Sequence, residues 1–206
     1  MPRNQRRKED RPDEIVAAAF TEFADRGYAD TKLDRVAKRA GVSKGLVFLY
    51  FKTKEQLFKA VVRAVVVPRI DAFEAAIAAH EGSLASFLRG PFVEFAAALP
   101  ESPARHVVRL IVAEGPKHPD LTRWYHDNVI SRVTAALAGL FQRAEDSGEI
   151  KAATLSQQPL LLIGPVVIGM IWKLLFDSHK PLDTRAFLNA HVDMMLGAFA
   201  ISRSDA

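Results

Sequence analysis

Cysteine is absent from this chain of 206 residues, which excludes disulfide bonds, cysteine-ligated zinc, iron–sulfur clusters and a thiol nucleophile. The six histidines show no pair at HxxH or HxxxH spacing, and the sequence HExxH is absent. The signatures GxxxxGK and GxGxxG are missing as well. The sequence therefore predicts a protein that is not an enzyme and that carries no metal or cofactor.

Long hydrophobic runs are also missing. The most apolar stretch, residues 159–172, has 14 residues, whereas a membrane-spanning helix needs roughly 18 or more. The basic N-terminus is not followed by the apolar segment that a signal peptide requires. We therefore expect a cytoplasmic protein without a membrane partner, in which this stretch is a helix buried on most sides.

Charged residues are plentiful but unevenly distributed. Residues 1–60 hold 14 Lys and Arg against 9 Asp and Glu, whereas residues 61–206 hold 14 against 15. A basic first quarter joined to a nearly neutral remainder suggests two roles, one of which faces a polyanion. On charge alone, chance clustering of solvated side chains is the alternative.

Helical periodicity dominates the chain, and the alternation typical of strands is rare. Residues 1–11 are expected to be a disordered basic arm. Short helices are predicted to begin at Pro12 and after the caps Thr31, Ser43 and Thr53. Longer helices are predicted at about 70–80, 83–99, 103–115, 119–147, 154–177 and 183–201. The pattern predicts an all-α protein.

Two of the short helices meet at residues 40–43, Ala-Gly-Val-Ser. Gly41 can supply the positive φ that a sharp turn between helices needs, and Ser43 can cap the helix that follows. This pattern is typical of a helix-turn-helix, whose second helix enters the major groove of DNA. The signal is weak by itself, because any helical bundle can contain a helix–glycine–helix sequence.

The surrounding residues are more specific. Gly27, Thr31, the turn at residues 40–45 and the run Tyr-Phe-Lys-Thr-Lys-Glu-Gln-Leu at 50–57 resemble the DNA-binding domain of the TetR/AcrR family of transcriptional regulators. The resemblance implies an N-terminal three-helix helix-turn-helix DNA-binding domain at residues 12–60. It also implies a larger helical ligand-binding and dimerisation domain at residues 61–206, with about nine helices in this all-α fold. The C-terminal region resembles the family only in its length and helical pattern.

The resemblance places the DNA contacts at this turn and on the helix after it. Val47 is expected in the core, so its neighbours on that helix face outward. Lys44 is long enough to reach a phosphate or a guanine edge, and Gly45 permits close approach to DNA. The predicted DNA-binding residues are Thr31, Lys32, Ser43, Lys44, Gly45, Leu46, Phe48, Leu49, Tyr50 and Lys54.

Three of these positions depart from the commoner pattern of the family. A small hydroxyl residue is usual where this chain has Leu46, Tyr is usual at Phe48, and His is frequent at Leu49. Because each change removes hydrogen-bonding groups, we expect recognition to rely on thymine methyl groups and DNA shape. The alternative is that Leu46 or Leu49 packs inside the small domain. The basic arm either lies along the minor groove or is a solvated tail.

In this family two recognition helices reach successive major grooves, which requires a two-fold dimer and a near-palindromic site. The helix at 160–176 is apolar nearly all round, and the last helix adds a further apolar face. The predicted dimer-interface residues are Leu161, Gly164, Ile168, Ile171, Leu175, Phe187, Met195 and Phe199. A monomer with a deeply buried central helix is the alternative.

The resemblance also implies a pocket for a small effector. Aromatic side chains with a few polar groups suit an apolar or amphipathic molecule, although core packing is the alternative role of each aromatic. The candidate lining residues are Phe73, Phe92, Phe95, His106, Arg109, Glu114, Trp124, Tyr125 and Trp172.

The predicted function is that of a sequence-specific transcriptional regulator. The partners expected are a double-stranded DNA operator, a second copy of the chain and an unknown small molecule. Effector binding would release a repressor by favouring a dimer with wrongly spaced recognition helices. The alternative is an effector-independent DNA-binding architectural or division-control protein with a well-filled C-terminal core.

Overall fold

The computed structural model describes residues 11–150 and 154–199, and within these ranges it contains helices and turns but no β-strand. The predicted basic arm lies outside the described residues except for Arg11. The helices are α1 Arg11–Asp30, α2 Leu33–Arg39, α3 Lys44–Tyr50, α4 Lys54–Val65, α5 Val67–Ala79, α6 at 84–98, α7 Ala104–Glu114, α8 at 119–146, α9 Leu160–Leu175 and α10 Thr184–Phe199. The all-α fold with an N-terminal helix-turn-helix and a helical C-terminal part is confirmed.

The described residues form two compact units. The first contains residues 11–68 together with His106–Arg123, and the second contains Arg69–Arg105 together with residues 124–150 and 154–199. The predicted division at residue 60 assigns residues 61–206 to one continuous domain. In the structure, α7 and the 3₁₀ turn Gly115–Lys117 pack largely with the N-terminal helices.

The core of the first unit lies between α1 and α4. Phe23 and Phe58 are fully buried and meet edge to face at 5.4 Å, and Tyr28 packs against both rings. Val36 of α2 and Val47 of α3 are fully buried in the same unit. Burying a side chain of this size contributes about 1.5–3 kcal/mol, so these contacts fix how α2 and α3 lie on α1 and α4.

The second unit is held by aromatic packing and by ion pairs between helices. Phe73 of α5 stacks on Phe95 of α6 at a ring distance of 4.6 Å. Arg132 of α8 donates to Glu74 of α5, with Nε and Oε1 3.0 Å apart, and to Asp71 at 2.6 Å. These contacts fix α5 against α6 and α8.

Both α6 and α8 contain a π-helical turn, at Leu88–Phe92 and His126–Ile130 respectively. In α6 the turn contains Pro91, which has no backbone N–H to donate along the helix. In α8 the side-chain amide of Asn128 donates to the carbonyl of Trp124 at 2.8 Å, which is the acceptor that an α-helix would offer to the backbone N–H of Asn128. Each π turn therefore has a local chemical cause.

The predicted helix at 154–177 is divided in two. A single turn, Thr154–Gln157, is followed by a break at Gln158, and α9 begins at Leu160. The proline at 159 disfavours the α conformation in the residue before it, which explains the break. Within α9, Pro165 leaves the carbonyl of Leu161 without its usual donor, and Nε2 of His191 on α10 lies 3.0 Å from that oxygen.

Candidate nucleic-acid interface

The turn between α2 and α3 is built by backbone hydrogen bonds around a left-handed glycine. Gly41 has φ of +65°, a conformation that side chains with a Cβ rarely adopt. The N–H of Val42 donates to the carbonyl of Ala37 at 3.0 Å, and the N–H of Gly41 to that of Lys38 at 3.3 Å. This Schellman arrangement ends α2 and leads the chain directly into α3, as the sequence predicts.

Side-chain caps fix the first turns of α3 and α4. The Ser43 hydroxyl accepts a hydrogen bond from the N–H of Leu46 at 3.2 Å, and the Thr53 hydroxyl accepts from that of Gln56 at 3.1 Å. The Gln56 side chain in turn accepts from the N–H of Lys52 at 2.9 Å. Both predicted caps are confirmed, and each fixes the start of its helix.

The buried side of α3 determines which residues face outward. Val47 is fully buried, as predicted, while Phe48 is 41% exposed and Leu49 is 69% exposed. Lys44 and Gly45 are also exposed, and Leu46 and Tyr50 are half-buried. Leu49 therefore does not pack inside the small domain, whereas Leu46 is partly covered.

Lys44 is paired with Asp34 of α2, which is not among the predicted DNA-binding residues. Its Nζ atom lies 2.8 Å from Oδ1 of Asp34 and 5.9 Å from the centroid of the Phe48 ring. Between residues 31 and 54 there are seven basic residues, and Asp34 is the single acidic one. An isolated acidic residue in a basic segment is the sequence signal that identifies Asp34.

Thr31 corrects one of the predictions. The residue is buried, and its hydroxyl lies 2.7 Å from the carbonyl oxygen of Gly27 and 3.2 Å from that of Glu22. The N-cap position of α2 belongs to Lys32, which makes no side-chain cap. The Thr31 side chain thus ties α2 to α1 and is neither the predicted helix cap nor a surface contact, while Lys32 is exposed.

Lys54 is half-buried and makes contacts within the first unit. Its ammonium donates to the carbonyl of Ala29 at 2.8 Å and lies 4.7 Å from the centroid of the Tyr28 ring. Burial lowers the pKa of Lys54, and the nearby carboxylates of Asp30 and Glu114 oppose that decrease. The side chain therefore joins the start of α4 to the end of α1, and its predicted phosphate contact stays a prediction.

A buried carboxylate joins α1 to α2. Glu22 is almost fully buried, and its Oε1 accepts a hydrogen bond from Nε of Arg39 at 2.8 Å. Nε of Arg26 lies 3.3 Å from the other carboxylate oxygen. These ion pairs hold α2 at a fixed place on α1, and α2 in turn positions the turn to α3.

The predicted effector residues are divided between the two units. His106, Arg109 and Glu114 lie in the first unit, where Arg109 donates to the carbonyl of Ala24 and Glu114 lies 3.6 Å from Lys117. The second unit contains Phe73, Phe92, Phe95, Trp124, Tyr125 and Trp172. Arg109 and Glu114 therefore have separate partners.

Within the second unit, part of the predicted aromatic set comes together. Phe73 contacts Phe92 at a ring distance of 6.5 Å in addition to its stacking on Phe95. Tyr125 is deeply buried, and burial raises the pKa of its phenol to about 12. Trp172 instead packs on Phe176 and donates its indole N–H to the carbonyl of Lys180 at 2.7 Å.

The predicted interface residues on α9 form an exposed stripe. Leu161, Gly164, Ile168 and Leu175 are exposed, and Ile171 is half-buried. On α10, Phe187 and Phe199 are half-buried.

Met195 is a second correction. It is only 4% exposed and packs inside the unit, whereas its neighbour Met194 is 65% exposed. The apolar face of α10 that stays uncovered is thus rotated by one residue from the predicted one.

Across the part of the chain that the structure describes, no helix is long and apolar enough to span a membrane.

These observations can be compared with known proteins. Residues 15–61 match the family described as bacterial regulatory proteins, tetR family, and residues 78–195 match the family described as Tetracyclin repressor-like, C-terminal domain. The second match covers more than half of the chain. The chain belongs to the TetR family. This is a family of regulatory proteins and not of enzymes.

Curated relatives match this TetR-family protein over short stretches of 44 to 63 residues. The activator FasR of Mycolicibacterium smegmatis is 38% identical over 63 residues, which is 31% of this chain and 26% of the relative. The repressor KstR2 of the same species is 42% identical over 53 residues, which is 26% of each chain. The fatty acid metabolism regulator protein of Bacillus subtilis is 41% identical over 44 residues, which is 21% of this chain and 23% of the relative. The matched stretch spans about a quarter of each relative's length.

Solved structures match the fold over nearly the whole chain. A TetR-family regulator of Mesorhizobium loti has a TM-score of 0.79 at 24% identity and covers 98% of this chain and 100% of its own. The complex of SmeT, from Stenotrophomonas maltophilia, with triclosan has a TM-score of 0.78 at 21% identity, with coverage of 94% and 93%. FadR of Bacillus subtilis in complex with stearoyl-CoA has a TM-score of 0.70 at 22% identity, with coverage of 89% and 96%.

Proposed function

We propose that this TetR-family protein is a sequence-specific transcriptional repressor that binds a near-palindromic operator as a homodimer and is released by a small apolar or amphipathic effector. The observation that carries the proposal is the outward face of α3. Val47 is buried beneath it, Ser43 caps the start of the helix, and the segment around it is strongly basic. A short, rigidly held helix on a basic surface suits insertion into the major groove.

The homodimer is supported by the apolar stripe on α9. Leu161, Ile168 and Leu175 recur at helical spacing and are each about half exposed or more. Soluble monomers rarely expose contiguous apolar stripes of this kind, whereas dimer interfaces bury them. Gly164 lies within the same stripe and permits close approach of a facing helix. The proposed interface consists of this stripe with the uncovered face of α10, in which Met194 replaces Met195.

The effector class is supported by the aromatic packing in the second unit and by the similar structures. Phe73 contacts both Phe92 and Phe95 among apolar neighbours. Two proteins of the same fold have been solved with triclosan and with stearoyl-CoA, both of which carry large apolar groups. Apolar pockets with few polar groups bind such molecules, so an aromatic or acyl-chain compound is the effector class that we propose.

DNA binding is tested by selecting bound sequences from random duplex DNA at a stated salt concentration. We expect one enriched near-palindrome with two half-sites. Lys44→Ala should weaken binding to that duplex, whereas Lys117→Ala, which also removes an exposed positive charge from the first unit, should not. A folded dimer that enriches no sequence would contradict the proposal of a sequence-specific regulator.

The effector is tested with the selected duplex and the two compounds named above. We expect stearoyl-CoA, triclosan or a compound of similar chemistry to release labelled duplex from the protein while the helical circular dichroism stays unchanged. Release should saturate with compound concentration, as expected for population shift. Operator binding that no apolar or amphipathic compound alters would favour the effector-independent architectural role.

A further inference from the structure

The outward face of α3 is chemically unusual for an exposed helix. Its exposed residues are Lys44, Gly45, Phe48 and Leu49, and only the first carries a hydrogen-bonding side chain. Leu49 is the most exposed of the large hydrophobic side chains in the described part of the chain. An apolar side chain held in water on a rigid helix loses the free energy that burial would give, so a partner that covers it is favoured.

The charge around this face indicates what that partner is. Lys32, Lys38, Lys44 and Lys52 are all exposed, and the segment from residue 31 to 54 has seven basic residues against one acidic residue. Such a surface attracts a polyanion. Among polyanions, duplex DNA presents an apolar group in its major groove, the C5-methyl of thymine.

Lys44 and Phe48 occupy one end of the face together. The ammonium of Lys44 lies 2.8 Å from the Asp34 carboxylate and 5.9 Å from the centroid of the Phe48 ring. Contacts from α2 and from its own helix therefore hold this cation over Phe48. Leu49 takes part in neither contact, so its side chain is the part of the face that is open to a base edge.

We propose that Leu49 is a specificity-determining residue that recognises a thymine by its methyl group in each half-site of the operator. Phe48 borders the same contact and supports Lys44. This inference rests on the proposed function, because it requires α3 to lie in the major groove. Apolar contact with Leu49 then distinguishes thymine from cytosine at the facing position. The hydrogen bonds to DNA are made by Lys44 and by the contacts to the DNA backbone.

The expected size of the effect follows from the burial of one methyl group. Covering a group of this size gives about a threefold to fivefold change in affinity for each half-site. Since a two-fold dimer makes the same contact twice, removing both methyl groups should weaken binding by roughly tenfold to twenty-fivefold.

The experiment uses the duplex selected from the random pool by the full-length chain. Each thymine of the duplex is replaced by deoxyuridine, singly and in symmetric pairs, which keeps the base pair and removes only the methyl group. The wild-type protein should lose affinity at one symmetric pair of positions and at no thymine outside the half-sites. Leu49→Ala should bind the thymine and uracil duplexes equally, and circular dichroism should show that it is folded.

Lys44→Ala is the matched control variant on the same helix. It should weaken binding to both duplexes while keeping the difference between thymine and uracil. A wild-type protein that binds all uracil duplexes as well as the thymine duplex would overturn the inference but leave sequence-specific binding intact. A Leu49→Ala protein that still discriminates would overturn it as well. Failure to enrich any sequence would instead contradict the proposed function itself.

Discussion

At the scale of single residues, Gly45 is notable because nothing within the chain requires a glycine there. A Cβ built at this position would meet only the Ser43 hydroxyl at 3.9 Å, which is ordinary contact. Glycine inside an exposed helix costs about 1 kcal/mol of stability relative to alanine. A residue that lowers stability without a structural reason suggests that an external surface approaches the helix closely at this point.

We expect Gly45→Ala to make the protein more stable and to weaken its DNA binding. The free energy of unfolding should rise by about 0.5–1 kcal/mol, because alanine is the better helix former. Affinity for the selected duplex should fall severalfold, since the added methyl group would stand between α3 and the DNA. Urea unfolding and a DNA titration on the same preparation measure the two effects. Unchanged affinity with raised stability would mean that DNA does not approach this position.

Residue positions within the helix-turn-helix were largely predictable, because the signals there are local. Gly41, Ser43 and Val47 act through the turn, the cap and the helical face that their own neighbours define. Lys54 was placed at a helix start correctly, whereas Thr31 was not, since Lys32 holds the N-cap position of α2. The side chains of both turn toward carbonyl groups of α1. Such a choice depends on tertiary packing, which periodicity along the sequence does not contain.

At the scale of elements, α10 supplies a hydrogen bond that α9 cannot make within itself. Pro165 cannot donate to the carbonyl of Leu161, and the His191 ring supplies the missing donor. The helix therefore depends on its neighbour for one hydrogen bond that it would otherwise make itself. The sequence shows the proline plainly, but which distant side chain would serve the freed carbonyl was not predictable from spacing.

We expect His191→Ala to lower the free energy of unfolding by about 1 kcal/mol, which is the net value of a hydrogen bond in a folded protein. The same substitution made in a Pro165→Ala background should cost less, because residue 165 would then donate to Leu161 directly. A double-mutant cycle by urea denaturation gives the coupling energy. Additive effects would show that the two residues act independently.

The same histidine should give stability a dependence on pH. Burial lowers the pKa of His191 below 6.5, although its hydrogen bond to the Leu161 carbonyl opposes the decrease. Below pH 6.5 the unfolded chain therefore binds more protons than the folded one at this site, so this contribution to stability falls as the pH falls. In the His191→Gln variant, the denaturation midpoint should not show this decrease as the pH falls.

At the scale of the whole molecule, the exposed stripe on α9 determines how the protein behaves at different concentrations. If two copies cover it, only the associated state buries Ile168 and Leu175, and unfolding is coupled to dissociation. The melting temperature of such a protein rises with its concentration by mass action. The nearly continuous hydrophobicity of residues 160–176 indicated this stripe in the sequence. On α10, the predicted interface residue Met195 is buried, and its neighbour Met194 is exposed instead.

We expect Ile168→Glu to yield a folded monomer that no longer binds the two half-sites together. A charge on each side of a two-fold interface meets its own copy, which disfavours association. Val112→Glu is the matched control, since Val112 is similarly exposed at 60% but lies on α7 in the other unit. Sedimentation velocity measures the mass, and a dimer that persists in Ile168→Glu would place the interface elsewhere.

The π turns at Leu88–Phe92 and His126–Ile130 have a consequence for how the chain can change its length during evolution. A π turn is equivalent to one additional residue inserted into an α-helix. Losing that residue would restore regular α-helix without rotating the segments on either side. A deletion elsewhere in one of these helices would rotate the rest of that helix by about 100°. In α8, a deletion between the π turn and residue 137 would turn Leu137 and Phe141 away from the core in which they are now buried. Natural relatives that differ by one residue in these helices should therefore differ at the two π turns.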